Sequence, residues 1–241
     1  MKVLGLAVGA ALFCGAAWAD AEEDAFVEAN ILSIFYHELG HAVIDLMEVP
    51  IFGQEEDAAD VMAVLLIDWL FEEEAAQAIA YDRAFGYLDD PSGTEEVAYW
   101  DLHGPDEQRY FNHVCLFYGA DPEARDGLAE DLGLPEERAE TCAEEYDLAA
   151  ESWGGVFDAM EASGGEVPMV FVGEDDGIAG RVIAAEVAAM NAEFALPEEV
   201  LVRVEACGEA NAFYDPEDIS ITFCAEFVPH LRGIFASLSS E

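Results

Sequence analysis

Two histidines four residues apart, His37 and His41, lie in an apolar stretch whose spacing predicts an α-helix, with Glu38 between them. Residues four apart share one helix face, so both imidazoles can bind one metal ion while Glu38 points into the same cleft. Zinc accepts neutral imidazole nitrogen and, in catalytic sites, lowers the pKa of its water to about 7, so that a nearby carboxylate can take the proton. The motif therefore predicts a zinc hydrolase site; the alternative is a chance match on a helix with two surface histidines.

A second apolar helix is predicted after a break at residues 50–53. Two helices joined by a short turn pack antiparallel. A hairpin folded about Glu48 and Val49 places His41 level with Glu56 and His37 level with Asp60. Glu56 would then be the third metal ligand, and Asp60 would accept the other N–H of His37 and fix its tautomer.

The alternative for Glu56 is that it belongs, with Glu55 and Asp57, to a group of acids that suit the positive end of a helix dipole. Among these three, only Glu56 has another acid, Asp60, four residues later. An acid against a long apolar run usually needs a partner, which favours the ligand interpretation.

These residues resemble the pattern of the gluzincin metallopeptidases, which implies that Glu38 is the general base, Glu56 the third zinc ligand and Asp60 the residue that orients a histidine. The wider sequence is similar to a secreted bacterial family known as "Putative metallopeptidase". The segments that carry this second resemblance are 35–42, 55–60, 99–112 and 211–216. One departure concerns the substrate: gluzincins usually place a substrate-binding sheet before the active-site helix, whereas the strand-like segments here follow it.

The amino terminus has a single lysine, an apolar run and the small-residue pattern Ala17-Trp18-Ala19, which predict a signal peptide over residues 1–19. Residues 20–241 would form one mature domain, periplasmic or secreted, and no later segment reaches membrane length without charges.

Four cysteines remain after removal of the signal peptide, an even number that suits an oxidising compartment. The segments 200–206 and 219–227 alternate like strands, and a hairpin between them would bring Cys207 opposite Cys224. Cys115 and Cys142 would then form the second disulfide. A cysteine zinc site is the alternative, but no C-x-x-C spacing supports it.

The chain is extremely acidic, with 53 Asp and Glu against 8 Lys and Arg and a formal net charge of −45. This balance argues against binding to nucleic acid or to an anionic membrane. The acids form either a solvated coat suited to salty surroundings or calcium sites. The coat is favoured because the acids are spread along helices and no spaced calcium loop occurs.

The remaining pattern predicts helices over 73–85, 105–119, 136–160 with an interruption at Gly154-Gly155, and 184–194, a polar loop over 88–94, and strands over 169–172, 200–206 and 219–227. The expected fold class is α+β: a helix-dominated, zincin-like single domain with the metal-binding helical hairpin and a small C-terminal sheet or hairpin.

A hydrolase also needs a group that stabilises the developing oxyanion, and His103, just before a predicted helix, is the best candidate. Arg109 and Tyr110 are weaker candidates, while His113 and His230 suit structural roles. The leading hypothesis is an exported Zn²⁺-dependent metallopeptidase that acts on a peptide or protein substrate. The alternatives are an exported, non-catalytic metal-binding protein and a metal-free acidic structural protein.

Overall fold

The computed structural model describes residues 12–88, 97–162, 167–173 and 176–239. The predicted helix-dominated α+β class is confirmed. The predicted polar loop over 88–94 lies, except for Leu88, outside the described residues. In chain order the elements are α1 (Leu12–Leu46), α2 (Glu55–Leu70), α3 (Glu73–Gly86), α4 (Asp106–Ala120), α5 (Asp126–Asp131), α6 (Glu136–Ala162), β1 (Val170–Val172), α7 (Ile178–Glu193), β2 (Leu201–Glu205), β3 (Ala212–Asp215), β4 (Ser220–Cys224) and α8 (Phe227–Leu238).

Helix α1 is the centre of the fold, because it contacts α2, α3, α7, α8 and the sheet. From Phe26 to Ile44 it is buried on nearly all sides, as its continuous apolar sequence requires. Residues 12–19 of the predicted signal peptide belong to this helix, and cleavage after Ala19 stays a prediction. Among the described residues, no helix is both long and apolar enough to cross a membrane.

The turn after α1 produces the predicted helical hairpin. Glu48 adopts a left-handed φ of 51°, and the Val49 N–H donates to the Ile44 carbonyl at 2.9 Å, which closes the helix end. Farther along the hairpin, a Cβ atom on Gly40 would lie only 2.9 Å from the Ala59 Cα. The absence of a side chain at Gly40 therefore lets α1 and α2 approach closely beside the two histidines.

We expect Gly40→Ala to lower the free energy of unfolding by about 1–3 kcal/mol, because the added methyl group would push α2 away. This is opposite in sign to the intrinsic helix preference, which favours alanine over glycine by about 1 kcal/mol. Gly155→Ala is the matched control, since Gly155 is helical with no atom within 4 Å of its would-be Cβ. Denaturant unfolding should show the control equal to or more stable than wild type; a stabilised Gly40→Ala would contradict the close-packing argument.

The sheet has the strand order β1-β2-β4-β3, and β2 runs parallel to β4. The predicted hairpin between segments 200–206 and 219–227 is therefore wrong. The hairpin partner of β4 is β3, which lies between them in the chain and pairs antiparallel with β4. The disulfide Cys207–Cys224 nevertheless forms, with a Cα–Cα distance of 5.3 Å. Because Glu205 is in register with Cys224, the two cysteines meet at the same end of parallel strands.

Three other features differ from the prediction, the first being that α7 begins at Ile178 and not at residue 184. The predicted strand 219–227 ends at Cys224, and α8 begins at Phe227; Pro229 lies in the first turn of that helix, where proline is tolerated. Helix α6 continues through Gly154-Gly155, because the burial of Trp153, Phe157 and Met160 on one face outweighs the cost of about 1 kcal/mol per glycine. The same helix is joined to α4 by the disulfide Cys115–Cys142.

The net charge predicts a strong effect of salt on stability. We expect the melting temperature to rise substantially from low to molar sodium chloride, because the Debye length falls from about 30 Å at 0.01 M to about 3 Å at 1 M and screens self-repulsion. Calcium sites would instead give a saturable rise at low millimolar calcium. Melting curves in both titrations distinguish the two explanations, and a melting temperature indifferent to sodium chloride would rule out the acidic coat.

Candidate metal centre

The two histidines and the glutamate of the α1 motif lie at one side of a cleft of about 990 Å³. His37 and Glu38 are buried, with exposed fractions of 6% and 7%, and His41 is half-buried. The Nε2 atoms of the two histidines are 3.3 Å apart. One turn of helix α1 thus directs two imidazole nitrogens to a common point.

The start of α2 brings carboxylates to the same point. Glu56 Oε2 lies 3.2 Å from His37 Nε2 and 3.3 Å from His41 Nε2, and Asp60 Oδ1 lies 2.8 Å from His37 Nδ1. These are the pairs that the antiparallel register places level with each other. Glu56 is one of three acids in the first turn of α2. This turn is the end of α2 nearest the cleft.

The spacing and chemistry of these atoms fit a tetrahedral metal ion. With metal–ligand bonds of about 2.0–2.1 Å, neighbouring ligand atoms of a tetrahedral site lie about 3.3 Å apart. The three distances among His37 Nε2, His41 Nε2 and Glu56 Oε2 are 3.2, 3.3 and 3.3 Å. Each Nδ1 atom is occupied by a separate carboxylate, so both Nε2 atoms are left for the metal.

Two contacts of this cluster were not predicted from the sequence, in which Arg109 was a weaker candidate for stabilising the oxyanion. Glu55 Oε1 lies 2.8 Å from His41 Nδ1 and orients that ring as Asp60 orients His37. The Arg109 guanidinium donates to both oxygens of Asp60, through Nε at 2.8 Å and Nη2 at 2.9 Å. The only sequence feature of Glu55 was its place at a helix start. The only feature of Arg109 that pointed to this contact was the rarity of arginine in so acidic a chain.

His103 enters the site from the loop before α4. Its Nε2 lies 2.8 Å from Glu56 Oε2, and its side chain is 46% exposed. Together with His37 and Glu56 it offers three potential ligand atoms within 4.8 Å of one another. The structure thus brings the predicted His103 to the cluster. In contrast, Tyr110 points away and donates to the Leu132 carbonyl.

The ionisable side chains at the centre shift one another's pKa. Burial lowers the pKa of His37, but hydrogen bonds to Asp60 and Glu56 outweigh it and raise that pKa to about 9. Burial raises the pKa of Glu56, but its contacts with His103, His37 and His41 hold it well below its usual range. For Glu38, burial raises the pKa of the carboxyl, against an opposing effect of the two neighbouring imidazoles.

His113 lies outside the centre. Its Nε2 is 2.9 Å from the Ala80 carbonyl. Burial lowers the pKa of His113 to about 4, so the ring is neutral at physiological pH.

The opposite wall of the cleft is the edge strand β3. Because the Cys224 N–H donates to the Asn211 carbonyl, the alternation of an antiparallel pair directs the backbone groups of Ala212 and Tyr214 away from β4. Residues 211–214 line the cleft. The Tyr214 hydroxyl donates to Asp45 Oδ2 at 2.8 Å, which holds the strand alongside α1.

Comparison with known proteins gives one similarity. The model of a family described as "Putative metallopeptidase" matches residues 10–156 and 178–241. Neither the curated proteins nor the solved structures contain a significant match to the chain. The matched residues include the α1–α2 hairpin, the His103 loop and strand β3.

Proposed function

Since the chain belongs to the "Putative metallopeptidase" family, we propose that it is an exported zinc metallopeptidase that hydrolyses peptide bonds. The observation that carries the proposal is the tetrahedral spacing of His37 Nε2, His41 Nε2 and Glu56 Oε2 beside a buried glutamate. These three residues would hold the metal. Two imidazoles and one carboxylate form a ligand set typical of catalytic zinc.

Zinc, when bound, supplies a Lewis acid that polarises the scissile carbonyl and lowers the pKa of water. Glu38 acts as the general base: its carboxylate accepts a proton from the attacking water and returns it to the leaving nitrogen. Its burial beside the ligands suits this role, because a raised pKa brings the carboxyl closer to the pH at which it must exchange protons.

Other residues position these groups. Asp60, itself held by Arg109, orients His37, and Glu55 orients His41. His103 faces the ligand cluster from a separate loop and would donate a hydrogen bond to the developing oxyanion. His103 can donate this hydrogen bond from its present position in the cleft.

Strand β3 would bind the peptide backbone. It is an edge strand of the sheet and lines the cleft opposite α1, where an extended peptide would add as a further strand. In gluzincins the substrate-binding sheet usually precedes the active-site helix in the chain. Here a sheet that follows this helix would take the same role.

Export is supported by the sequence of the amino terminus and by the two disulfides. Disulfides persist in the periplasm and outside the cell, where thiols are not kept reduced. The periplasmic or secreted location belongs to the proposal together with the signal peptide over residues 1–19.

A peptide-library digest tests the function. The purified chain, loaded with one equivalent of zinc, should cleave library peptides, lose turnover after chelation and recover it on readdition of zinc. Glu38→Gln is the control for contaminating peptidases and should be inactive while zinc-loaded. A protein that binds zinc but shows no turnover sensitive to Glu38→Gln would be the non-catalytic metal-binding alternative.

A further inference from the structure

A second, smaller cavity of about 230 Å³ adjoins the residues of the candidate metal centre. It shares His37, Glu38 and His103 with the centre, and its far wall includes Arg83 and Arg109. Its volume corresponds to about seven or eight waters at roughly 30 Å³ each, which is the space of about one amino-acid residue. We refer to it as the Arg83 cavity.

Arg83 is unusual among the seven arginines of the chain. In the part that the structure describes, five of the others form ion pairs with carboxylates. Arg83 forms none with any residue that the structure describes, although its exposed fraction is only 7%. Its contacts are uncharged: Nη1 lies 3.4 Å from Asn30 Oδ1, and the guanidinium carbon lies 3.8 Å from the centre of the Tyr87 ring.

The guanidinium is held in a fixed orientation. Asn30 is fully buried and donates through Nδ2 to the carbonyls of Phe26 and Asp82. Gly86 makes room for it, since a Cβ atom there would lie 1.7 Å from Asn30 Oδ1. Asn30 thus offers Arg83 a hydrogen-bond acceptor whose position is fixed. A buried charge is costly unless it is paired, so a cation that lines a cavity and has no ion pair with a described residue indicates a site for an anion.

The second arginine of the cavity does not compete for this role. Arg109 is already neutralised by its two hydrogen bonds to Asp60. Asp106 also lines the cavity, but it is exposed at the surface. Arg83 is therefore the group whose charge an incoming ligand would balance, and guanidinium groups bind carboxylates through paired hydrogen bonds.

We propose that the Arg83 cavity receives the free C-terminal carboxylate of the substrate and that the enzyme is a carboxypeptidase removing one residue at a time, an inference that rests on the proposed peptidase function. The oxygen of water bonds to the carbonyl carbon of the last peptide bond, and the C–N bond breaks. The proton taken by Glu38 passes to the leaving nitrogen. The products are a peptide shortened by one residue and a free amino acid.

Matched peptides with a free acid or an amide at the C-terminus test the proposal. We expect kcat/KM for the free acid to exceed that for the amide by at least about tenfold, because a charge-assisted hydrogen bond is lost with the amide. Mass spectrometry should show release of the last residue alone. Arg83→Met should lower kcat/KM for the acid about 10–100-fold and leave the amide nearly unchanged, whereas Arg181→Met, at an exposed arginine away from both cavities, should match wild type.

Binding measurements keep the test independent of turnover and of folding defects. Zinc-loaded Glu38→Gln protein should bind the acid peptide at least about tenfold more tightly than the amide. Preference for amides that end in Glu or Asp over free acids would assign the cavity to an acidic side chain and overturn the proposal. Internal cleavage at equal rates for acid and amide, abolished by Glu38→Gln, would overturn it but leave the peptidase function intact. Absence of any cleavage sensitive to that variant would overturn both.

Discussion

Glu38→Gln should lower kcat/KM for peptide hydrolysis by about 10²–10⁴-fold while the protein retains one zinc. Glutamine has the same shape as glutamate but cannot accept the proton of water at neutral pH. The three proposed ligand atoms belong to His37, His41 and Glu56. Replacing Glu38 therefore leaves the proposed ligand set complete. Steady-state kinetics and metal analysis on the same preparation measure the two quantities together.

The matched control for this variant is Glu74→Gln, which makes the same chemical change at an exposed position on α3. It should keep wild-type kinetics and zinc content. Retention of most of the activity by Glu38→Gln would show that another group takes the proton. Loss of zinc from Glu38→Gln would show that the glutamate belongs to the metal ligands instead.

His37→Ala, His41→Ala and Glu56→Ala should each weaken zinc binding on the order of 10³-fold or more, because loss of one of three protein ligands leaves an incomplete site. Asp60→Ala should weaken it only about 10–100-fold, since Asp60 orients His37 without touching the metal. Competition with a chromophoric chelator measures these affinities.

His103→Ala separates the two roles open to that residue. As the group that stabilises the oxyanion, it should leave zinc affinity unchanged and lower kcat about 10²–10³-fold. A loss of zinc comparable to that of His41→Ala would make His103 a ligand.

A Glu56→Ala protein that keeps stoichiometric zinc at wild-type affinity would contradict the assignment of Glu56.

The α1–α2 hairpin could be anticipated from sequence because its geometry is local. Helical periodicity fixes the face shared by His37 and His41, and a short turn fixes which residues of α2 stand opposite them. The support of Asp60 by Arg109 depends instead on the packing of α4, whose orientation no local pattern determines. Glu55 and Glu56 are adjacent in sequence, and only the side-chain directions assign each to a different atom of the site.

The sheet illustrates a second limit. Alternating residues identified β2 and β4, but the pairing of two strands depends on what the chain does between them. The predicted hairpin left only a connection between these two strands, whereas that segment contains β3, and this intervening strand makes β2 and β4 parallel. The expected cysteine pair formed because parallel and antiparallel arrangements both bring Cys207 near Cys224.

The Cys207–Cys224 disulfide closes the loop that leads into β3, and the Cys224 N–H donates to the residue directly before that strand. A chain with reduced cysteines would lack the covalent tether of the cleft wall while keeping the α1–α2 hairpin, which contains no cysteine over residues 20–70. Oxidation would therefore complete the cleft wall without being needed for the α1–α2 hairpin. For the exported hydrolase proposed above, the wall that binds the substrate would gain its tether only on leaving a reducing compartment.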